Sequence, residues 1–226
     1  MGQAIGQILP TAIGVAISPL PIVAVVLMLV TPRGRANGPA FVVGWCVGLA
    51  AIGAIVISAA GSAGATDDGA PATWVSWLKL ILGVLLLLLV AARQWKARPV
   101  GSEEPATPKW MGALDGFSPV KALGAGVVLS ALNPKNLLLA IAGAAVVAQA
   151  ELSTGEETLT WAVFILVASI GVATPVVIAV GMGDRSRGLL DRLKTWLARE
   201  NTVIMAVLLL VIGVKLIGDA ISGFSG

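Results

Sequence analysis

Six long apolar stretches divide the sequence, and short segments between them hold most of its polar residues. The stretches cover approximately residues 3–30, 38–60, 74–92, 120–148, 160–182 and 201–222. A helix needs about 20 mostly apolar residues to cross roughly 30 Å of hydrocarbon. The pattern therefore predicts six transmembrane helices. The first stretch is too long for a signal peptide and has no basic residues before it, so we count it as a span.

The composition agrees with this pattern. Of the 226 residues, 57% are hydrophobic and 12% are charged, with a mean hydropathy of +0.94. A soluble domain carries about 25% charged residues. The sequence has no histidine and one cysteine, Cys46. This excludes an internal disulfide, a Cys/His zinc site and a histidine base. We therefore expect a membrane protein that is not an enzyme and that holds no cofactor and no metal.

Basic residues are concentrated in alternate connections between the stretches. The connections after the first, third and fifth stretches hold 12 of the 15 Lys and Arg residues: Arg33, Arg35, Arg93, Lys96, Arg98, Lys109, Lys121, Arg185, Arg187, Arg192, Lys194 and Arg199. The charged residues of the other two connections are all acidic. The positive-inside rule then predicts that the basic connections face the cytoplasm. We expect a multi-pass protein of the cytoplasmic (plasma) membrane with both termini extracytoplasmic.

Prolines interrupt the first and fourth stretches near their middles. Ser18-Pro19 and Asn133-Pro134 are separated by 115 residues, about half the chain. Proline inside a helix removes a hydrogen bond and clashes with the preceding turn. Ser or Asn followed by Pro is instead typical of an N-cap with Pro at the first helical position. Each motif is predicted to end one half-helix and begin another within the bilayer; the alternative is that proline only kinks a continuous helix.

The matched breaks predict an internal repeat. Each half has three spans, so the second half must enter the membrane inverted relative to the first. The expected fold is an all-α integral membrane protein of six transmembrane helices, arranged as two inverted three-helix repeats with broken helices 1 and 4. A single domain covers 1–226: the first repeat about 1–92, a cytoplasmic linker about 93–119 and the second repeat about 120–226.

The two breaks predict a site for an anion. Both new half-helices would begin near the membrane centre, and each helix N-terminus carries roughly half a positive charge. Lys135 adds a full charge at this level, and phosphate and carboxylate groups bind well at helix N-termini. The predicted substrate-binding residues of this site are Ser18, Pro19, Pro21, Asn133, Pro134, Lys135 and Asn136.

Three further charged residues lie inside the predicted spans. A lysine at the centre of a span costs roughly 2.5–3.5 kcal/mol on insertion scales, so each needs an explanation. Lys79 and Lys215 are predicted to extend the substrate-binding path towards the outer surface, and Asp219 is a candidate for proton or ion coupling. The alternative is that both lysines reach the interface and that Lys215 pairs with Asp219, four residues away on the same helix face.

Two other patterns give local predictions. Gly44/Gly48 and Gly124/Gly126 are expected to allow close helix packing. Apolar residues recur at helical spacing through 184–200 against a basic face. This segment is predicted to lie in the membrane interface or to gather anionic lipid head groups there.

Several motifs together resemble one protein family. They are Ser18-Pro19-Leu20-Pro21-Ile22, Leu29-Val30-Thr31-Pro32-Arg33-Gly34-Arg35, Gly44-Trp45, Asp115-Gly116-Phe117-Ser118-Pro119-Val120-Lys121-Ala122 and Asn133-Pro134-Lys135-Asn136-Leu137. In this order they resemble the GAP proteins, the peptidoglycolipid-addressing or sulfolipid-addressing members of the LysE-type exporter superfamily. The resemblance implies six spans, no ATPase domain and a role in moving glycolipids or lipid-linked intermediates towards the actinobacterial cell surface.

The function expected from these observations is a secondary transporter or flippase-like exporter of an anionic (glyco)lipid or lipid-linked intermediate. No P-loop motif is present to bind ATP. The alternatives are a non-transporting accessory or scaffold protein of a lipid-export complex, a LysE-type exporter of a small solute, and a passive pore. The expected partners are membrane lipids and the anionic lipid or glycolipid substrate, with no nucleic acid. A homodimer and association with lipid-synthesis or export machinery stay open.

Overall fold

The computed structural model describes residues 1–62, 73–96 and 117–225, and within these ranges every regular element is helical. Eight α-helices follow in chain order: α1 Gly2–Ala16, α2 Pro19–Leu29, α3 Gly34–Ser62, α4 Thr73–Lys96, α5 Pro119–Ala131, α6 Pro134–Ala148, α7 Thr154–Met182 and α8 Arg187–Ser225. A short 3₁₀ helix, Gly183–Ser186, joins α7 to α8. The prediction of an all-α protein is confirmed for the described residues. Most of the predicted cytoplasmic linker lies outside them.

Both predicted helix breaks are present. The helix pair α1 and α2 bends by 52°, and the pair α5 and α6 bends by 66°. Ser18 and Asn133 have extended backbone at the N-cap positions, and Pro19 and Pro134 follow at the first helical positions. Because proline has no N–H, it fits this position, where that group would lack a helical partner in any case. The prediction of separate half-helices is confirmed, and the alternative of two continuous kinked helices is wrong.

The described helices include several that are long and apolar enough to cross a membrane. Single helices provide three of them: Gly34–Ala60, Thr154–Met182 and Met205–Phe224. Each bent pair also passes when it is taken as one span, which gives up to five. The apolar part of α4, Ser76–Ala92, is shorter than these segments. The chain is therefore a multi-pass helical membrane protein.

The basic amphipathic segment does not form a separate element. The helix α8 runs without a break from Arg187 to Ser225, 39 residues or about 58 Å, and includes most of the segment 184–200. The physical reason is local, because residues 189–212 contain neither glycine nor proline. Leu190 is buried, whereas Leu189 and Trp196 are exposed. The segment thus extends the last span as a continuous helix.

Most pairs of helices that pack together have a counterpart in the other half of the chain, although the extent of the corresponding contacts differs. The helix α3 packs along α5, and correspondingly α7 packs along α1. The contacts of α6 with α1, α3 and α4 have counterparts in those of α2 with α5, α7 and α8. The helices α4 and α8 pack closely along each other, and α3 also contacts α7. Each of these contacts is therefore matched when α1–α4 are exchanged with α5–α8.

Glycines permit the close approach of α3 and α5. A side chain at Gly44 or Gly48 would collide with atoms of α5, and one at Gly126 would collide with the carbonyl oxygen of Phe41 in α3. A side chain at Gly124 would meet nothing within 4 Å. The packing prediction is therefore confirmed for three of the four glycines and wrong for Gly124. Residues 124 and 126 project about 200° apart around a helix, so both cannot face α3.

We expect Gly126→Ala to destabilise the protein by about 1–3 kcal/mol, because the added methyl group meets backbone that cannot move aside. Thermal unfolding of the purified protein in detergent measures this effect. Gly124→Ala is the matched control on the same helix, and we expect it to leave stability unchanged or to raise it by up to about 1 kcal/mol. Equal stability of the two variants would contradict the assigned packing.

Candidate functional site: a polar junction at the two helix breaks

Four polar side chains meet where the two broken spans are interrupted. Ser18 begins α2, Asn133 begins α6, and Lys135 and Asn136 lie in the first turn of α6. The hydroxyl of Ser18 donates to Oδ1 of Asn136 at 3.2 Å, which joins residues 118 positions apart. Ser18, Lys135 and Asn136 are each at most 3% exposed. The structure thus buries Ser18, Lys135 and Asn136 together at the junction, with Pro19 and Pro21 also buried, whereas Asn133 is half-buried and Pro134 is exposed.

The two N-caps differ in chemistry. Oδ1 of Asn133 accepts a hydrogen bond from the backbone N–H of Lys135 at 3.2 Å, as an N-cap side chain should. The hydroxyl of Ser18 makes no such bond to its own helix. Its usual partner at the third helical position is missing, because Pro21 has no N–H. The predicted cap position is therefore right for both residues, but the predicted capping bond is wrong for Ser18, which contacts α6 instead.

Lys135 binds the end of the first half-helix. Its Nζ donates to the carbonyl oxygen of Gly14 at 2.6 Å and to that of Ile17 at 3.5 Å. The last carbonyls of a helix lack helical partners and carry partial negative charge, so an ammonium group is favoured there. The prediction of an anion site rested on the two helix N-termini, but the C-termini of α1 and α5 lie at the same junction.

Asn136 donates to a carbonyl at the end of α5, as Lys135 does at the end of α1. Its Nδ2 donates to the carbonyl oxygen of Leu129 at 3.0 Å, in the last turn of α5. Leu129 lies 115 residues after Gly14, the same separation as between the two Xaa-Pro breaks. Equivalent carbonyls of the two half-helices are thus both bound by side chains of α6. The equivalent positions in the first half carry Leu20 and Pro21, so the side chains that bind these two carbonyls come from the second half only.

The first turn of α2 has few backbone N–H groups that could donate to a ligand. In α2, Pro19 and Pro21 have no N–H, and the N–H of Ile22 donates to the carbonyl oxygen of Ser18. This leaves the N–H of Leu20 as the donor of that first turn without a helical partner. The dipole of α2 therefore acts at the junction with little direct hydrogen bonding.

Close backbone packing positions the end of α1. A side chain at Gly171 of α7 would collide with the carbonyl oxygen of Ala16. A side chain at Gly14 would meet Ile212 and Leu139. Sequence reasoning missed Gly14, Leu129 and Gly171, although the first two could have been found from their common 115-residue separation, four residues before each N-cap.

The other predicted residues form a second polar group, on α4 and α8. Nζ of Lys215 binds Oδ2 of Asp219 at 2.6 Å, and both side chains are about one-third exposed. Lys79, on α4, is close enough to interact electrostatically with both. The predicted pairing of Lys215 with Asp219 is confirmed. A role of Lys79 and Lys215 in substrate binding, or of Asp219 in ion coupling, stays a prediction.

The described ranges hold no group of three or more Cys, Asp or Glu side chains that could bind a metal ion. The thiol of Cys46 on α3 lies 3.4 Å from the hydroxyl of Ser169 on α7. These two residues join the middle spans of the two halves by a polar contact.

Two bent helix pairs whose breaks meet at a buried lysine define the class of this protein: a polytopic helical membrane protein with paired discontinuous helices. A family model described as Sap, sulfolipid-1-addressing protein, matches residues 8–222, nearly the whole chain. The protein belongs to the sulfolipid-1-addressing protein family. No curated protein and no solved structure matches it.

Proposed function

We propose that the protein is a secondary transporter or flippase-like exporter that moves an anionic lipid or glycolipid towards the cell surface. The observation that carries the proposal is the junction itself, where two helix breaks meet around the buried Lys135. A lysine buried in a membrane protein is costly and marks a substrate pathway more often than a structural need. Membership of the sulfolipid-1-addressing family supports a lipid-related role in export or trafficking.

An inverted repeat is part of the proposal. Six spans in two halves of three would place the basic connections in the cytoplasm and both termini outside. Two observations support the repeat: the breaks are 115 residues apart, and most helix pairs in contact have a counterpart when the halves are exchanged. In such transporters the substrate binds near the midplane, where discontinuous helices from the two repeats meet.

The head group would bind at Lys135 after the junction opens. In the structure the ammonium group donates to the carbonyls of Gly14 and Ile17, so an anion has to share or replace these bonds. The N–H of Leu20 and that of Asn136, on the two facing half-helices, are further donors within the same first turns. Opening of the α1 end would therefore be coupled to head-group binding.

One observation favours a second candidate function, that of an accessory protein that supports lipid export without transport. Lys135 already has hydrogen-bond partners at the end of α1. If this contact is its whole role, the junction only fixes two bent helices in place. Neither candidate is an enzyme, and both act through membrane lipids and lipid-export partners.

Lipid movement across reconstituted vesicles tests the proposal. We expect vesicles that contain the protein to transfer a fluorescent anionic lipid between leaflets faster than protein-free vesicles do, as measured by chemical quenching of the outer leaflet. A fluorescent phosphatidylcholine in the same vesicles is the control, and it should move more slowly because it has no net negative charge for Lys135. No difference from protein-free vesicles would favour the accessory role.

A further inference from the structure

A second polar site lies at the basic end of the molecule, where α2 and α7 end and α3 and α8 begin. A cavity of about 310 Å³ opens there, and we call it the Arg35 cavity. Thr31, Arg35 and Ser186 provide its polar groups, and aliphatic residues such as Val180 and Leu190 form its walls. The hydroxyls of Thr31 and Ser186 already donate to the carbonyl oxygens of Met28 and Gly183, so the cavity offers one cation beside an apolar wall.

Arg35 lines the cavity with an exposed side chain. Within the described part of the chain its guanidinium makes no hydrogen bond or ion pair. Nη2 lies 3.8 Å from where a Cβ on Gly183 would be. Gly183 has φ +55° and ψ −133°, a backbone conformation that essentially only glycine adopts. The guanidinium thus lies beside a stretch of backbone without a side chain, at a position that an anion can reach.

The walls of the cavity favour an amphiphile over a free ion. Val30 and Val180 line it and are 48% and 57% exposed, and both lie at the end of a helical segment that is long and apolar enough to cross a membrane. A free phosphate or sulfate would gain nothing from these residues, whereas a lipid could place its acyl chain against them. Arg also suits phosphate and sulfate groups because its fork of N–H groups can bind two oxygens at once.

We infer that the Arg35 cavity binds the anionic head group of a membrane lipid, with the acyl chain along the exposed face at Val180. This site is separate from the junction at Lys135. The junction lies at the start of α2, whereas the Arg35 cavity lies at its end. Its role as the place where the exported lipid enters rests on the proposed function. Lipid binding itself does not, so the two can be tested apart.

Native mass spectrometry of the protein in detergent, titrated with phosphatidylglycerol, tests this inference. We expect Arg35→Gln to weaken binding of one lipid about tenfold, because a charge-assisted contact is lost. Arg33→Gln is the matched control. It removes one positive charge two residues before Arg35, and the exposed side chain of Arg33 does not line the cavity. This variant should bind like the wild type.

Two further arms complete the test. Val180→Glu places a carboxylate at the mouth of the cavity and leaves Arg35 intact, and it should weaken binding as well. The loss caused by Arg35→Gln should persist in Lys135→Met protein, whatever that protein does in transport. Equal losses in Arg33→Gln and Arg35→Gln, no loss in either, or inorganic sulfate that binds as tightly as the lipid would overturn the inference.

Discussion

Lys135→Met should slow movement of the anionic lipid about ten- to a hundredfold, because the head group loses a charge-assisted hydrogen bond worth roughly 1.5–3 kcal/mol. Methionine fills nearly the same volume, so the packing at this buried position should survive. Transfer of fluorescent lipid in reconstituted vesicles measures the effect. Lys135→Arg should retain part of the activity, since it keeps the charge with a different geometry.

The same substitution should change stability little. Removing the ammonium leaves the carbonyl of Gly14 without its donor, at a cost of about 1–3 kcal/mol. It also removes a buried lysine, whose insertion costs roughly 2.5–3.5 kcal/mol. These terms oppose each other. Lys121→Met, at an exposed position of α5, is the control for loss of one positive charge, and it should leave transport unchanged.

Asn136→Leu should destabilise the protein by about 1–3 kcal/mol, because the carbonyl of Leu129 loses its donor in a buried position. Leucine has a similar volume, so the loss reports on hydrogen bonding and less on packing. Thermal unfolding in detergent measures the change. Ser18→Ala removes only the contact to Asn136, and it should cost about 0.5–1.5 kcal/mol.

The combination of these two substitutions checks the assignment. In protein that already carries Asn136→Leu, Ser18→Ala should have almost no further effect, because the bond that joins the two residues is already gone. Simple addition of the two single effects would show that Ser18 and Asn136 act independently and that the hydrogen bond across the break contributes nothing.

The breaks could be predicted from sequence because their causes are local. Ser or Asn before Pro favours an N-cap, and the structure begins α2 and α6 at Pro19 and Pro134. The half-helices around them followed from the length of the apolar stretches. The helical spacing of apolar residues in 184–200 is also a local signal, and most of this segment is helical as part of α8.

The contacts of the junction could not be predicted in the same way, because they depend on which helix ends meet. Lys135 was predicted to bind an anion, and in the structure its ammonium group donates to the carbonyl of Gly14, 121 residues earlier. Ser18 was expected to cap its own helix, yet it donates to Asn136. Gly124 matched the small-residue pattern, but rotation around α5 turns it away from α3. Each outcome depends on tertiary packing.

The most direct test of the proposed site is the number of anionic lipids that the purified protein retains. The substitution Arg35→Gln removes the contribution of the Arg35 cavity. Native mass spectrometry then compares this single variant with the double variant that also carries Lys135→Met. We predict that the first retains one tightly bound anionic lipid and that the second, equally well folded, loses it. Equal retention by both would contradict head-group binding at the helix breaks and would leave Lys135 as a structural cap for α1.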